Sequence, residues 1–269
     1  MKESVRVSAL GIDFDIHYRL AGKAKERTVL LVHGLGCSLD YWHFVFQDSS
    51  LTERFLLAAP DLPGFGRSSK PRAFSYFMKD QAMVLEAFLQ ALSIRPDVLV
   101  GFSMGGPIAI HLAKRLCPQT LVLVEPTITE NDLVITPRLA KTPGVLLDAL
   151  KPFTFLIPAL FARLLVNSRQ TEILQIVNES LRHTPGRVFQ KASKELVLAA
   201  RDPETFGTFL ELPCKKWVVI GEILFKSSHY NPPPSLYQKA KRVVIQGANH
   251  AVMLDNPKSF NRAILQACA

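Results

Sequence analysis

Val98-Leu99-Val100-Gly101-Phe102-Ser103-Met104-Gly105-Gly106-Pro107 is an apolar run that stops in Gly-x-Ser-x-Gly and opens into Ile108-Ala109-Ile110-His111-Leu112-Ala113. The pattern reads as a buried strand, a sharp turn and a helix, with one serine lifted above the sheet edge. Gly101 and Gly105 let strand and helix approach closely while Ser103 takes a strained conformation that exposes its hydroxyl. The helix then starts beneath Ser103, with its N-terminal N–H groups and its dipole turned toward developing negative charge. Alone, the five-residue pattern equally describes a glycine-rich turn with an incidental serine. Its position after a strand and before a helix favours the chemical reading.

Working outward, Leu121 to Val124 is another short apolar run, and upstream Thr28 to Val32 and Phe55 to Ala59 are two more. Nearly continuous apolar runs of this length suit strands covered on both faces of a mostly parallel sheet. Helical spacing over 77–92 and a plausible helix within 39–53 separate them. Residues 4–20 alternate in period two around Gly11, which predicts an antiparallel hairpin at the N-terminus, and Lys23 to Arg27 reads as a charged turn. Strand–helix alternation of this kind predicts a doubly wound α/β sheet with right-handed crossovers. It stops at 127–212, where helical patterns (145–150, 159–166, 170–182, 188–200) carry no clear strand, and it resumes at Trp217 to Ile220 and Arg242 to Ile245, followed by a helical segment, Met253 to Ala267. The expected organisation is a core of residues 1–126 and 213–269 with a helical cap, 127–212, inserted between two strands. Pro232-Pro233-Pro234 reads as a rigid turn.

Lys and Arg number 32 against 23 Asp and Glu, an excess of 9 in 269 residues. The excess gathers at 213–269, with 8 basic and 2 acidic side chains, whereas 28–126 balances at 8 and 8. No basic stripe is interleaved with aromatics, so a solvated basic surface is expected rather than a nucleic-acid partner. Cys37, Cys117, Cys214 and Cys268 have no CxxC spacing, which argues against a zinc site or a disulfide framework. The sequence opens with Lys2, Glu3 and Arg6 and has no signal-peptide core, so a cytoplasmic location is the expectation. The longest apolar segment, Phe153 to Val166, contains Pro158 and Arg163 and is too short to span a bilayer.

Four motifs occur in order: His33-Gly34-Leu35-Gly36, Asp61 to Ser68, Gly101 to Gly105, and Gly247-Ala248-Asn249-His250. Together they resemble the α/β-hydrolase superfamily, in its branch with a helical cap. The resemblance implies a serine hydrolase with Ser103 as nucleophile and His250 as its base, because a serine hydroxyl needs a base within hydrogen-bond reach. It also implies an oxyanion hole made by the backbone N–H groups of Leu35 and Met104, with Leu35 and Cys37 giving an apolar pocket floor. No metal or organic cofactor is implied. The expected partner is a small-molecule substrate with a hydrophobic part, held between cap and core. His33 and His111 read as structural, His17, His43, His183 and His229 carry no motif, and Asp61 reads as a turn former.

The acid departs from the superfamily's commonest pattern, which would put an aspartate at the position of Leu224. Some relatives instead carry it at the end of the strand after the elbow helix, where this chain has Glu125. A glutamate after four apolar strand residues is costly to leave unpaired, which points to a partner. The expectation is a Glu125 carboxylate oxygen within about 2.6–3.2 Å of His250 Nδ1, with Glu222 and Asp132 as alternatives. An acyltransferase, a carbon–carbon bond hydrolase, or a ligand-binding protein of low turnover would use the same residues.

Overall fold

The computed structural model describes residues 2–22, 27–133, 140–150, 165–168, 170–226 and 234–269. Eight strands form one sheet: β1 (Lys2–Ala9), β2 (Ile12–Ala21), β3 (Thr28–Val32), β4 (Leu56–Pro60), β5 (Val98–Phe102), β6 (Thr120–Val124), β7 (Lys215–Gly221) and β8 (Lys241–Ile245). Their spatial order is β1-β2-β4-β3-β5-β6-β7-β8. β1 and β2 pair antiparallel, and β2 runs antiparallel to β4; all other pairings are parallel. The hairpin turns at Leu10 and Gly11, and Phe14, Ile16 and Tyr18 alternate into the core as the period-two pattern demands. Every residue of β3, β5 and β6 is buried, as strands covered by helices on both faces must be.

The helices that matter to the site are α1 (Met78–Ala91), α2 (Gly105–Leu116), α3 (Gly144–Leu150), α4 (Thr171–Arg182), α5 (Gly186–Arg201), α6 (Pro203–Glu211) and α7 (Pro257–Ala267). One face of the sheet packs against α1 and α2 and receives Val188, Ala192 and Leu196 of α5. The other face carries Trp42, Phe46 and, from α7, Phe260 and Ile264. After β3 the chain adds β4 on one side and β5 on the other, so strand order reverses between them. The crevice beyond the carboxyl ends of strands at such a reversal is where open α/β sheets bind ligands.

Four helices, α3 to α6, occupy the stretch between β6 and β7 among the described residues. The pattern at 159–166 and the apolar segment Phe153 to Val166 lie almost wholly outside the described residues, as do most of Lys23 to Arg27 and Pro232-Pro233-Pro234, and His229. Three local expectations change. The span 39–53 holds a 3-10 turn (Leu39–Trp42) and two single-turn helices in place of one helix. α6 has no counterpart in the periodicity, yet Asp202 caps it by accepting from Glu204 N–H and Pro203 starts it. The last helix breaks at Asn256, because the residue before a proline is disfavoured in the helical region, and Asn256 caps α7 instead.

Candidate active site

Ser103 sits at the end of β5 with φ +51°, a left-handed conformation rare for a residue with a side chain. The neighbouring glycines explain how the chain tolerates it. A Cβ on Gly101 would lie 2.4 Å from the Gly105 carbonyl oxygen, and one on Gly105 would lie 2.3 Å from that of Val32. Both obstacles are backbone, so strand, turn and helix close up only with glycine at both positions. Ser103 N–H donates to the Val124 carbonyl at 2.9 Å, and Gly106 N–H to the Ser103 carbonyl at 2.9 Å, which fixes the turn from both sides.

The loop after β3 abuts this turn. A Cβ on Gly34 would stand 3.0 Å from Ser103 Cβ, which places Leu35 beside the serine. Among the described residues, neither the Leu35 N–H nor the Met104 N–H donates to a protein acceptor. Cys37 N–H closes the loop on the Gly34 carbonyl at 3.2 Å, and Phe189 of α5 packs on Gly36, whose φ is +70°. The Cys37 thiol is buried and pushed up to about 12, so it offers apolar surface and no thiolate.

Glu125 follows β6, also at positive φ (+44°), with its side chain 1% exposed. Its N–H donates to the Val219 carbonyl, and Oε1 accepts from Gly221 N–H at the end of β7. Oε2 is buried, has no hydrogen-bond partner among the described residues, and lies 4.0 Å from Nδ1 of His250. His250 follows β8, and its ring packs 5.0 Å from that of Phe102, the residue before Ser103. Burial drives both groups toward neutrality: the Glu125 carboxyl is raised well above the ordinary carboxylate range, and His250 is lowered to about 4. An uncharged imidazole at neutral pH is the form that can accept a proton.

The expected 2.6–3.2 Å contact between Glu125 and His250 is therefore open by about 1 Å, since the bond to Gly221 draws the carboxylate toward β7. The two alternative acids are turned elsewhere. Glu222 pairs with Lys226 at 2.6 Å and accepts from Gly247 N–H, and Asp132 accepts from Ile128 and Thr129 N–H and the Thr129 hydroxyl in a capping box. His33 bridges the Gly34 carbonyl and Leu62 N–H, and Asp61 accepts from Leu39 and Arg67 N–H, both structural tasks. His111 lies on α2 near Thr205 of α6. Among the described residues no three His, Cys, Asp or Glu side chains gather as a metal site, and no helix is long and apolar enough to cross a membrane.

A family model described as alpha/beta hydrolase fold matches residues 27–257. The chain belongs to that family. A haloalkane dehalogenase of Mesorhizobium japonicum is 38% identical over 104 residues, 39% of this chain and 32% of the relative. The chain matches only about a quarter to a third of the length of its curated relatives (25% to 36%). Among solved structures, a thermophilic esterase of Thermogutta terrifontis aligns with a TM-score of 0.73 at 20% identity, covering 99% of this chain and 97% of that one. The enol-lactonase of Burkholderia xenovorans aligns at 0.76 and 18%, covering 98% and 99%. At those identities the two structures speak for the fold.

Proposed function

We propose that the protein is a serine hydrolase that cleaves an ester or related acyl bond through Ser103, His250 and Glu125. The observation that carries this reading is the buried, unpartnered Glu125 Oε2 facing His250 Nδ1 beside the strained Ser103 turn. With Nδ1 toward Glu125, Nε2 is the nitrogen left to take the serine proton. Ser103 Oγ then attacks the substrate carbonyl, and the oxyanion accepts hydrogen bonds from the N–H groups of Leu35 and Met104. The intermediate collapses, the alcohol leaves with the proton held on Nε2, and an acyl-serine remains. Water, giving its proton to His250, attacks that ester; the carboxylic acid departs and Ser103 regains its hydrogen. In its ionised form Glu125 orients the ring and stabilises the imidazolium, drawing in from 4.0 Å as positive charge develops.

The names of the two solved relatives, an esterase and an enol-lactonase, support acyl–oxygen cleavage. Dehalogenation like that of the first relative is disfavoured by the nucleophile itself. Displacement of halide by a serine oxygen leaves an ether, which water cannot cleave, whereas a carboxylate would leave a hydrolysable ester. We assign residues 127–212 as a helical cap whose apolar side chains select the acyl or alcohol part of the substrate. The direct test is a fluorophosphonate probe followed by mass-spectrometric location of the adduct. A single adduct on Ser103, and loss of both adduct and p-nitrophenyl ester hydrolysis in Ser103→Ala, is the expected result. Wild-type turnover in Ser103→Ala ends the proposal.

A further inference from the structure

A base that follows a strand in a short turn must be held still, and here the bonds that hold its neighbours lead into the segment between β6 and β7. The carboxylate of Asp255 accepts from Asn249 N–H at 2.8 Å, from Asn167 N–H at 2.8 and 2.9 Å, and from Ser168 N–H at 2.9 Å. On the other side of His250, the Ala251 N–H donates to the Leu165 carbonyl at 2.7 Å. The side chain of Asn167 adds a third tie, Nδ2 donating to the Gly247 carbonyl at 3.1 Å. Asn249 and Ala251 are the two chain neighbours of His250: the Ala251 N–H is tied to residue 165 directly, and the Asn249 N–H through Asp255, which also holds residues 167 and 168. A carboxylate that collects three backbone N–H groups makes charge-assisted bonds, roughly twice as strong as neutral ones.

We propose that Asp255 is a positioning residue for His250, joining the 247–251 turn to residues 165–168 so that the seating of this inserted segment sets the orientation of the imidazole. The catalytic consequence rests on the serine-hydrolase reading, while the mechanical coupling does not. If residues 165–168 lift away, Ala251 loses its acceptor and both Asp255 oxygens lose a donor. The turn that carries His250 is then released with them. An active site built this way is competent when the insertion is docked, and a displacement of about 1 Å in a base is enough to cost on the order of 10²-fold in rate.

Two variants separate this from a general structural role. Asp255→Asn replaces one oxygen with an amide NH2 that meets a backbone N–H, donor against donor. Asn167→Ala, at an exposed position, removes only the bond to Gly247. On the smallest ester, Asp255→Asn should lower kcat on the order of 10- to 100-fold while KM stays within about twofold, the signature of an interaction used in the transition state. Asn167→Ala should lower kcat a few-fold in the same sense. Amide hydrogen exchange at Ala251 should quicken in both, although that N–H touches neither replaced side chain. Unchanged kcat or unchanged Ala251 exchange in Asp255→Asn overturns the proposal. If that variant does not fold, unchanged Ala251 exchange in Asn167→Ala overturns it. A wild-type protein that takes no fluorophosphonate on Ser103, yet shows faster Ala251 exchange in both variants, keeps the coupling and removes the hydrolase reading.

Discussion

The two halves of the candidate site are held by different physics. On the Ser103 side, geometry is imposed by close-packed backbone: two glycines at which an added Cβ would stand 2.4 and 2.3 Å from carbonyl oxygens, and a serine at φ +51° between two 2.9 Å hydrogen bonds. On the Glu125–His250 side burial dominates, with one carboxylate oxygen bonded to Gly221 N–H and the other 4.0 Å from His250 Nδ1. Steric closure positions a nucleophile once, at folding. A buried acid beside a half-buried imidazole, incompletely paired, keeps a reserve of unmet hydrogen bonding that is released when charge develops between them. Backbone strain is present on both sides, at Ser103 and at Glu125, while the unmet polarity lies on the Glu125–His250 side.

The comparison breaks most visibly at His250. His250→Ala removes the proposed base without touching the steric side, so it should cost on the order of 10³-fold or more in turnover and leave the protein folded. The wild-type enzyme should keep kcat/KM down to an acidic limb well below 6.5 and toward 4, the value to which burial lowers His250. A limb at 6.5 would mean that the ring is solvated in the working enzyme. Stability has a definite sign as well. The unfolded chain binds the histidine proton near 6.5 and the folded chain only near 4, so stability is lost as pH falls through that window. Urea midpoints at pH 7 and 5 measure it, with His250→Ala flattening the difference.

Glu125→Gln is the next largest effect and separates rate from stability. The amide oxygen can still accept from Gly221 N–H, but an amide stabilises an imidazolium poorly, so turnover should fall on the order of 10²-fold or more. The carboxyl is raised by burial, so the folded protein binds its proton more tightly than the unfolded chain does, and stability falls as pH rises above the ordinary carboxylate range. Removing that carboxyl should therefore raise Tm at pH 8 by more than at pH 5. A variant that is slower and no more stable at pH 8 would show that Glu125 is already satisfied in the folded protein. Wild-type turnover in Glu125→Gln, with loss in Glu222→Gln or Asp132→Asn, would move the acid.

The same contrast decides what was legible in the sequence. Steric closure leaves a trace, because only glycine fits at 101 and 105, and the apolar runs of β3, β5 and β6 report burial on both faces directly. Glu125 was legible as a carboxylate too costly to bury alone. Its separation from His250 was not, because it depends on which oxygen Gly221 N–H takes, a contact 96 residues away in the chain. Asp255 was hidden by reading one continuous helix to Ala267, and Pro257 held the correction: it ends the first turn at Asp255 and frees that carboxylate for the loop. α6 was hidden differently, its cap Asp202 and Pro203 being plain while its apolar positions were too few to announce a period.

The smallest expected effect probes the rigid side. Gly34 is not in the left-handed region, so an alanine there meets no conformational barrier, and its cost is contact alone. The added Cβ would stand 3.0 Å from Ser103 Cβ and 3.2 Å from the Phe102 ring, closer than carbon atoms pack, so one of the three must give by a few tenths of an ångström. Phe102 is wedged between Tyr41, Trp42 and His250, which leaves the serine and the Leu35 loop as the parts that shift. Overpacking by one methyl should cost about 1 kcal/mol of stability. A displacement of this size between nucleophile and oxyanion donor should lower kcat roughly 10-fold with little change in KM. If Ser103 is what moves, Gly34→Ala should slow ester hydrolysis and fluorophosphonate labelling by the same factor, since both pass through attack by Ser103. A loss confined to stability, with kcat intact, would show that the turn is softer than its backbone contacts imply and that rigidity does not distinguish the two halves.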